Sequence, residues 1–262
     1  MKLIHGDCID VTEPVDLIVT SPPYANQRKK QYGGVSPDKY ADWFLPRSKV
    51  FYDQLKDTGS MVVNIKENVV DGQRSLYVYK MVIEMVESQG WRLVDDYCWH
   101  KSTAMPGKWN GRFRDQWEHC YHFAKQKGFT FNQDVVMVPR GDWANTRMKN
   151  LSDTDKSRHN SDTDSGFGRN VSAWNDRELV YPSNVLYGSP ETKNQGHPAV
   201  YPVWLPEFFI KLLSNEGDLV YDPFVGSGTT MLAAHNLGRD SLGVDSSDES
   251  IATAKKRLAE LL

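Results

Sequence analysis

The chain has 262 residues, with 31 lysine and arginine residues against 34 aspartate and glutamate residues, so its net charge of −3 provides no overall basic field for nucleic acid. Hydrophobic and charged fractions of 39% and 25% are those of an ordinary soluble globular protein. No apolar run reaches membrane-spanning length, and the N-terminus lacks the apolar core of a signal peptide, so we expect neither a membrane-spanning nor a secreted protein.

The first 100 residues alternate short apolar runs with segments of helical spacing. Strands are expected at 3–5, 16–20, 59–65 and 92–99, and helices at 38–55 and 76–88, with Gly90 as a C-cap. The C-terminal part repeats the pattern, with helices at 206–213, 229–237 and 248–262 and strands at 218–224 and 241–245. Ser246 and Glu249 form a candidate capping box for the last helix. This alternation predicts an α/β fold with a doubly wound, mostly parallel sheet.

Between these parts lies a segment of different composition. Residues 139–178 are rich in Ser, Asp, Asn, Arg and Gly and show little periodicity. We interpret them as an inserted lobe or long loop. The chain is therefore divided into 1–138 and 179–262, two halves of one domain, and the insert 139–178.

The segment Asp222-Pro-Phe-Val-Gly-Ser-Gly-Thr-Thr follows an apolar strand and precedes a helix. Gly226 and Gly228 remove side chains where a ligand must approach the backbone, and the helix N-terminus favours an anionic group. Asp245 lies 23 positions beyond Asp222, where it can accept both hydroxyls of a ribose. A dinucleotide fingerprint would need glycine at position 231, which is Met231. Taken alone, however, the two glycines are equally consistent with a structural turn.

The segment Ser21-Pro-Pro-Tyr24 ends another buried strand. The exocyclic amine of a base is a poor nucleophile because its lone pair is delocalised into the ring. The Ser21 hydroxyl and a carbonyl of Pro22 or Pro23 can accept hydrogen bonds from the amine, and the prolines keep the turn rigid. Tyr24 offers an aromatic face to an extruded base. The alternative is a rigid turn that merely leaves the sheet.

Together these two segments resemble the amino-methylating DNA methyltransferases in their β arrangement, with the catalytic turn before the cofactor loop. The resemblance covers nearly the whole chain. It implies a circularly permuted class I fold that uses S-adenosylmethionine (SAM), with residues 139–178 as the target-recognition segment. The implied catalytic residues are Ser21, Pro22, Pro23 and Tyr24. The implied cofactor-binding residues are Asp7, His197, Pro198, Asp222, Phe224, Gly226, Gly228, Thr229, Thr230 and Asp245.

A serine in the first position of the turn is typical of family members that methylate N4 of cytosine, whereas an aspartate is typical of N6-adenine enzymes. We therefore expect site-specific N4-cytosine methylation of a flipped-out base in double-stranded DNA, with N6-adenine methylation as the alternative. C5 methylation is rejected, because its cysteine follows a proline, whereas Cys8, Cys98 and Cys120 follow Asp, Tyr and His. More distant alternatives are an RNA or protein amine methyltransferase and a non-catalytic SAM- or DNA-binding module.

The family also implies a context. We expect a restriction–modification system with a cognate restriction endonuclease as a further partner, and a bacterial or phage-encoded protein in a reducing cytoplasm. The three cysteines form no CxxC pair, and neither they nor the seven histidines have the spacing of metal ligands, so no metal is expected.

DNA binding then requires a local basic surface. Lysines and arginines interleave with Trp109, Phe113 and Trp117, although each charge taken singly is more often a solvated surface group. The candidate DNA-binding residues are Arg28, Lys29, Lys30, Lys101, Lys108, Arg112, Arg114, Arg140, Arg147 and Lys149.

Overall fold

The computed structural model describes residues 1–26, 34–103, 106–141, 150, 152, 178–191 and 201–259. They form two compact units, one of Met1–Asn132 with Asn184–Leu262 and one of Gln133–Ser183, which contains the predicted insert 139–178. Among the described residues, no helix combines the length and apolar character that a bilayer span requires.

The chain alternates strands and helices. The strands are β1 (Lys2–His5), β2 (Val15–Thr20), β3 (Leu55–Ile65), β4 (Val69–Val70), β5 (Gln73–Arg74), β6 (Arg92–Lys101), β7 (Trp117–Ala124), β8 (Val138–Pro139), β9 (Leu179–Val180), β10 (Val185–Gly188), β11 (Leu219–Asp222) and β12 (Asp240–Asp245). The helices are α1 (Tyr40–Gln54), α2 (Tyr77–Gln89), α3 (Trp204–Leu213), α4 (Thr229–Asn236) and α5 (Asp248–Leu258).

Eight strands form the main sheet in the order β1-β12-β11-β2-β3-β7-β6-β10. Only β7 runs against the others, pairing antiparallel with both β3 and β6. The neighbouring strands β11 and β2 are parallel, and the chain continues from β11 to β12 on one side and from β2 to β3 on the other. Ligands of open α/β sheets bind beyond the carboxyl ends of the strands at such a point. The predicted doubly wound, mostly parallel sheet is confirmed.

Burial explains why the central strands are so apolar. In β2, Val15, Leu17, Ile18 and Val19 are all buried, as expected for a strand covered by helices on both faces. Each such side chain contributes roughly 1.5–3 kcal/mol when it leaves water. The loops at the end of the strand are thereby held on a rigid base.

The strand predicted at 218–224 spans only Leu219–Asp222. Two other predictions are wrong because of tertiary contacts. β3 begins at Leu55 rather than at Gly59, because α1 leads directly into it; Gly59 lies inside the strand, where a Cβ would come within 2.6 Å of the Asp16 carbonyl oxygen. The N-cap of α5 is Ser247, whose hydroxyl accepts the Ser250 N–H, so the capping box predicted from Ser246 is wrong by one residue. Gly90 is confirmed as the C-cap of α2, with φ of +82°.

Candidate active site

The ends of β2 and β11 are joined by a buried hydrogen bond. The Thr20 hydroxyl donates to Oδ1 of Asp222 over 2.6 Å, although 202 positions separate the two residues in the chain. Because Ser21 follows Thr20 directly and the glycine loop follows Asp222, this bond fixes the two predicted functional segments side by side.

Asp222 lies beneath the glycine loop. Its Oδ2 accepts the Thr230 hydroxyl over 2.6 Å, and its Oδ1 accepts the Phe224 N–H over 3.1 Å. Burial raises the pKa of Asp222 to about 6, while the hydrogen bonds from Thr20 and Thr230 oppose the rise. This carboxylate holds the start of the loop and the start of α4 together. Contact of Asp222 itself with SAM stays a prediction.

The raised pKa predicts an unusual pH dependence of stability. The folded chain retains a proton on Asp222 between about pH 4 and 6 that the unfolded chain has lost, so this group's contribution to stability falls as pH rises through that window. Asp222→Asn removes this contribution. Urea unfolding at several pH values should give a difference in the free energy of unfolding, variant minus wild type, that rises from pH 4 to 6 and then levels off. A difference in the free energy of unfolding that does not change with pH would contradict the raised pKa of Asp222.

The glycine loop itself needs glycine at two positions for different reasons. Gly226 and Gly228 have φ of +51° and +79°, in the left-handed region. A Cβ at Gly228 would lie 3.1 Å from Leu258 of α5, whereas one at Gly226 would meet nothing closer than a carbonyl oxygen at 3.9 Å. Gly228 therefore serves helix packing, and Gly226 leaves an open face toward a ligand.

Asp245 ends β12 and holds this loop from the other side. Its Oδ2 accepts the Gly226 N–H and its Oδ1 accepts the Ser247 N–H, each over 2.9 Å. The side chains of Thr229 and Thr230 were expected to offer hydroxyl donors to the cofactor. Both are buried: Thr230 donates to Asp222, and Thr229 accepts the Arg257 guanidinium over 2.7 Å. Both hydroxyls thus have hydrogen-bond partners within the protein. Their contact with SAM stays a prediction.

Asp7 follows β1, whose last residue pairs with Asp245 across the sheet. Its Oδ2 accepts the Arg47 guanidinium over 3.1 Å, and that guanidinium lies 4.5 Å from the ring centre of Trp43. The Trp43 ring is in turn 5.8 Å from that of Phe224. Three predicted cofactor residues, Asp7, Phe224 and Asp245, thus lie at the same edge of the sheet. Arg47 and Trp43, both on α1, join them without having been predicted.

Helix α1 anchors the Ser-Pro-Pro-Tyr turn at Pro23. The buried Tyr40 hydroxyl donates to the Pro23 carbonyl over 2.9 Å. In the part of the chain that the structure describes, no donor is bonded to the Pro22 carbonyl. Pro22 is therefore the better acceptor for the second proton of an amine, a choice that the sequence left open.

Tyr24 is held by Glu118, the second residue of β7. The Tyr24 hydroxyl donates to Oε2 of Glu118 over 2.8 Å, Asn64 donates to the same oxygen over 3.2 Å, and Lys101 forms an ion pair with Oε1. Burial raises the pKa of Tyr24 well above its usual value; the charge of Glu118 adds to the rise, and a hydrogen bond with Ser21 opposes it. Tyr24 therefore keeps its proton and its ring is fixed in place. No sequence-based prediction singled out Glu118.

Replacing Glu118 with glutamine is expected to lower kcat by about 10-fold, because one hydrogen bond of the Tyr24–Asn64–Lys101 set is lost and the ring is held less firmly. The Kd for SAM should stay within about 2-fold, since Glu118 does not contact the glycine loop. Glu87→Gln, on the exposed side of α2, is the matched control. An unchanged kcat in Glu118→Gln would remove the positioning role.

The predicted DNA-binding residues divide into three groups. Lys101 is paired with Glu118 inside the site, where it supports Tyr24. Lys108, Arg112 and Arg114 lie in the connection between β6 and β7, and Arg140 lies in the second unit. The remaining predicted DNA-binding residues lie outside the described part of the chain: Arg28, Lys29, Lys30, Arg147 and Lys149. Two predicted cofactor-binding residues, His197 and Pro198, also lie outside it. Among the described residues, no cluster of His, Cys, Asp and Glu is placed to hold a metal ion.

Comparison with known proteins agrees with this geometry. A family model described as DNA methylase, covering N6 and N4 enzymes, matches residues 15–256. The Type II methyltransferase M.PvuII of Proteus hauseri is 32% identical, with 97% of this chain and 82% of that protein aligned. The orphan methyltransferase M.BamHII of Bacillus amyloliquefaciens is 29% identical over 98% of this chain and 92% of its own.

Solved structures give the same result. The PvuII DNA methyltransferase (cytosine-N4-specific) superposes with a TM-score of 0.73 at 28% identity, covering 97% of this chain and 85% of that one. The M1.HpyAVI–SAM complex, at 23% identity, shares the fold with a TM-score of 0.60, covering 98% of this chain and 99% of the other. The match to the family model spans nearly the whole chain, including both the Ser-Pro-Pro-Tyr turn and the glycine loop. This chain therefore belongs to the N6/N4 DNA methylase family.

Proposed function

We propose that this protein transfers a methyl group from SAM to the exocyclic N4 of cytosine in a flipped-out base of double-stranded DNA. The observation that carries the proposal is the buried hydrogen bond between Thr20 and Asp222. It fixes a turn suited to an aromatic amine beside a loop suited to SAM.

The residues at the glycine loop fit SAM. Gly226 has open space on the side where its Cβ would lie, so a ligand can approach the backbone there. Asp245 and Asp7 supply carboxylates for a ribose and an adenine amine, and Phe224 with Trp43 supplies aromatic surface for the adenine ring. SAM, when bound, supplies a methyl group on a sulfonium that is its own leaving group. No metal and no covalent enzyme intermediate is required.

The Ser-Pro-Pro-Tyr turn prepares the nucleophile. Ser21 Oγ and the Pro22 carbonyl oxygen accept hydrogen bonds from the two amine N–H groups and draw the nitrogen toward a tetrahedral shape, which localises its lone pair. The Tyr24 ring stacks on the extruded base, a contact worth about 1–3 kcal/mol that helps offset the cost of unstacking it. The nitrogen–methyl bond would form as the methyl–sulfur bond breaks, leaving S-adenosylhomocysteine, and the nitrogen would then release one proton to solvent. Alignment of the two reactants at the joined strand ends supplies much of the acceleration.

Cytosine N4 is favoured over adenine N6 by Ser21, a hydroxyl where the adenine enzymes typically carry a carboxylate. The relative whose structure is described as cytosine-N4-specific supports the same choice. The unit Gln133–Ser183, which contains residues 139–178, is proposed to carry target recognition.

A cognate restriction endonuclease and a place in the bacterial cytoplasm belong to the proposal as well. The relatives include type II methyltransferases of bacteria, and the family resemblance implies a restriction–modification context. One relative is an orphan methyltransferase, so the endonuclease does not follow from family membership.

The test is nucleoside mass spectrometry of unmethylated DNA incubated with the protein and isotope-labelled SAM. We expect labelled N4-methylcytosine, and sequencing of the same DNA then gives the recognised site. Labelled N6-methyladenine would retain the mechanism and overturn the base assignment. Absence of any labelled nucleoside with DNA of diverse sequence would overturn the proposed reaction on DNA.

A further inference from the structure

The connection between β6 and β7 carries the most exposed large apolar side chain among the described residues. Phe113 is 94% exposed, whereas the neighbouring Trp109 and Trp117 are 38% and 37% exposed. A fully exposed phenylalanine gives up the free energy that its burial would provide. A partner that covered the ring would recover this free energy.

Segment 106–116 of this connection is nevertheless well anchored. The Asp115 carboxylate accepts a hydrogen bond from the Arg112 guanidinium over 2.9 Å and forms an ion pair with Arg74. Its Oδ1 also lies 3.7 Å from Nζ of the buried Lys66. The Gln116 amide donates to the Lys101 carbonyl over 3.0 Å. Phe113 is therefore presented to solvent by a fixed backbone.

A tight turn shapes the other half of the connection. Trp109 and Arg112 form an antiparallel bridge around Asn110-Gly111, and Gly111 has φ of +75°. A positive φ at the second central residue of a turn favours glycine there. The ring of Phe113 thus follows directly on a turn whose geometry is set by the sequence.

The position of Phe113 relates it to the site of chemistry. The connection leads from the carboxyl end of β6 into β7, and Glu118, five residues after Phe113, holds the Tyr24 hydroxyl. Five residues span at most about 17 Å. Phe113 therefore lies within this distance of the glutamate that holds Tyr24, at the same edge of the sheet.

The charges around Phe113 match a nucleic acid. Arg112 and Arg114 flank Phe113 in the chain and Lys108 precedes it by five positions, while the single acid of the segment, Asp115, is paired with Arg74 and Arg112. Arg114 forms its hydrogen bond with the neutral side chain of Gln116 over 3.1 Å, so its charge stays uncompensated among the described residues. A nucleic acid duplex has phosphates on its outside and stacked bases inside. An apolar ring flanked by cationic residues complements both.

We propose that Phe113 is a wedge that enters the duplex beside the target base and stacks against the bases left behind when the target is extruded. Apolar side chains that enter between base steps offset the cost of unstacking in this way. The inference rests on the proposed function, because it concerns the duplex that the active site would open.

The experiment compares Phe113→Ala with wild type on two duplexes that contain the recognised site, one fully paired and one with a mismatch opposite the target base. A mismatched base costs less to extrude, so it needs the wedge less. We expect Phe113→Ala to lower kcat/KM by roughly 10- to 100-fold on the paired duplex and by less than about 3-fold on the mismatched one. Ile83→Ala, which removes a 50% exposed side chain on α2, should leave both values unchanged.

Equal losses on the two duplexes, or no loss on the paired one, would overturn the wedge. Failure of the proposed function is distinguishable, because wild-type protein would then methylate neither duplex. If the wild type is active on both and Phe113→Ala equals it, only the wedge is rejected.

Discussion

Replacing Ser21 with alanine is expected to lower kcat by about 100- to 1000-fold, the loss that follows removal of one preorganised hydrogen-bonding group from a reacting centre. The alanine cannot accept an amine proton, so the exocyclic nitrogen stays planar and its lone pair stays delocalised. The Kd for SAM should stay within about 2-fold, because Ser21 takes no part in the network of Asp222, Thr230 and Phe224 that shapes the glycine loop. Single-turnover methylation and equilibrium SAM binding separate the two quantities.

Two variants sharpen this test. Ser21→Asp restores an acceptor at the same position, so it should lose less activity than Ser21→Ala. Ser88→Ala, which removes an exposed hydroxyl on α2, should match wild type in both measurements. If Ser21→Ala retained more than about a tenth of the wild-type kcat, the amine would be activated elsewhere, and the Pro22 carbonyl and Tyr24 would have to suffice.

The sequence predicted the framework of this site from local signals. Apolar runs with turn residues at their ends gave the central strands, and the parallel pairing of β2 and β11 brings their carboxyl ends together. The proximity of Ser21 to the glycine loop follows from that topology alone. The strands and their turns depend on residues that are close in the chain, which is why a pattern could reveal them, whereas the pairing of β2 with β11 joins residues about 200 positions apart.

The contacts that hold the site in place could not be predicted in the same way. Tyr24 meets Glu118 across 94 positions, and Arg47 meets Asp7 across 40. In the sequence each is an ordinary charged or polar residue, and its role appears only when the sheet order is known. A glutamate near the start of the buried strand β7 was the one available signal for Glu118, since a charge there requires partners.

The boundary errors have the same origin. Ser246 fits the local capping-box pattern, with Glu249 three residues later, but Asp245 accepts the Ser247 N–H and Ser247 caps α5 instead. Gly59 has the appearance of a turn residue, yet close approach of the Asp16 backbone places it within β3. In both cases a tertiary contact outweighed the local preference.

Replacing Asp245 with asparagine should raise the Kd for SAM by about 100-fold, equivalent to roughly 2.7 kcal/mol. The shape is preserved, but an amide has one acceptor where the carboxylate has two. Since the Gly226 and Ser247 N–H groups each face one carboxylate oxygen, the new NH₂ group must face a donor whichever way it is turned. The loop around Gly226 therefore shifts, and the acceptor proposed for the ribose hydroxyls is weakened as well.

Asp240→Asn is the matched control, because Asp240 lies at the opposite end of the same strand with a side chain that is 72% exposed. It should bind SAM like wild type. At saturating SAM, Asp245→Asn should recover most of the wild-type kcat, because the Ser-Pro-Pro-Tyr turn is held from β2 and β7 and not from β12. An unchanged Kd in Asp245→Asn would show that the glycine loop does not bind SAM. A normal Kd with a reduced kcat would instead place this carboxylate in the methyl-transfer step.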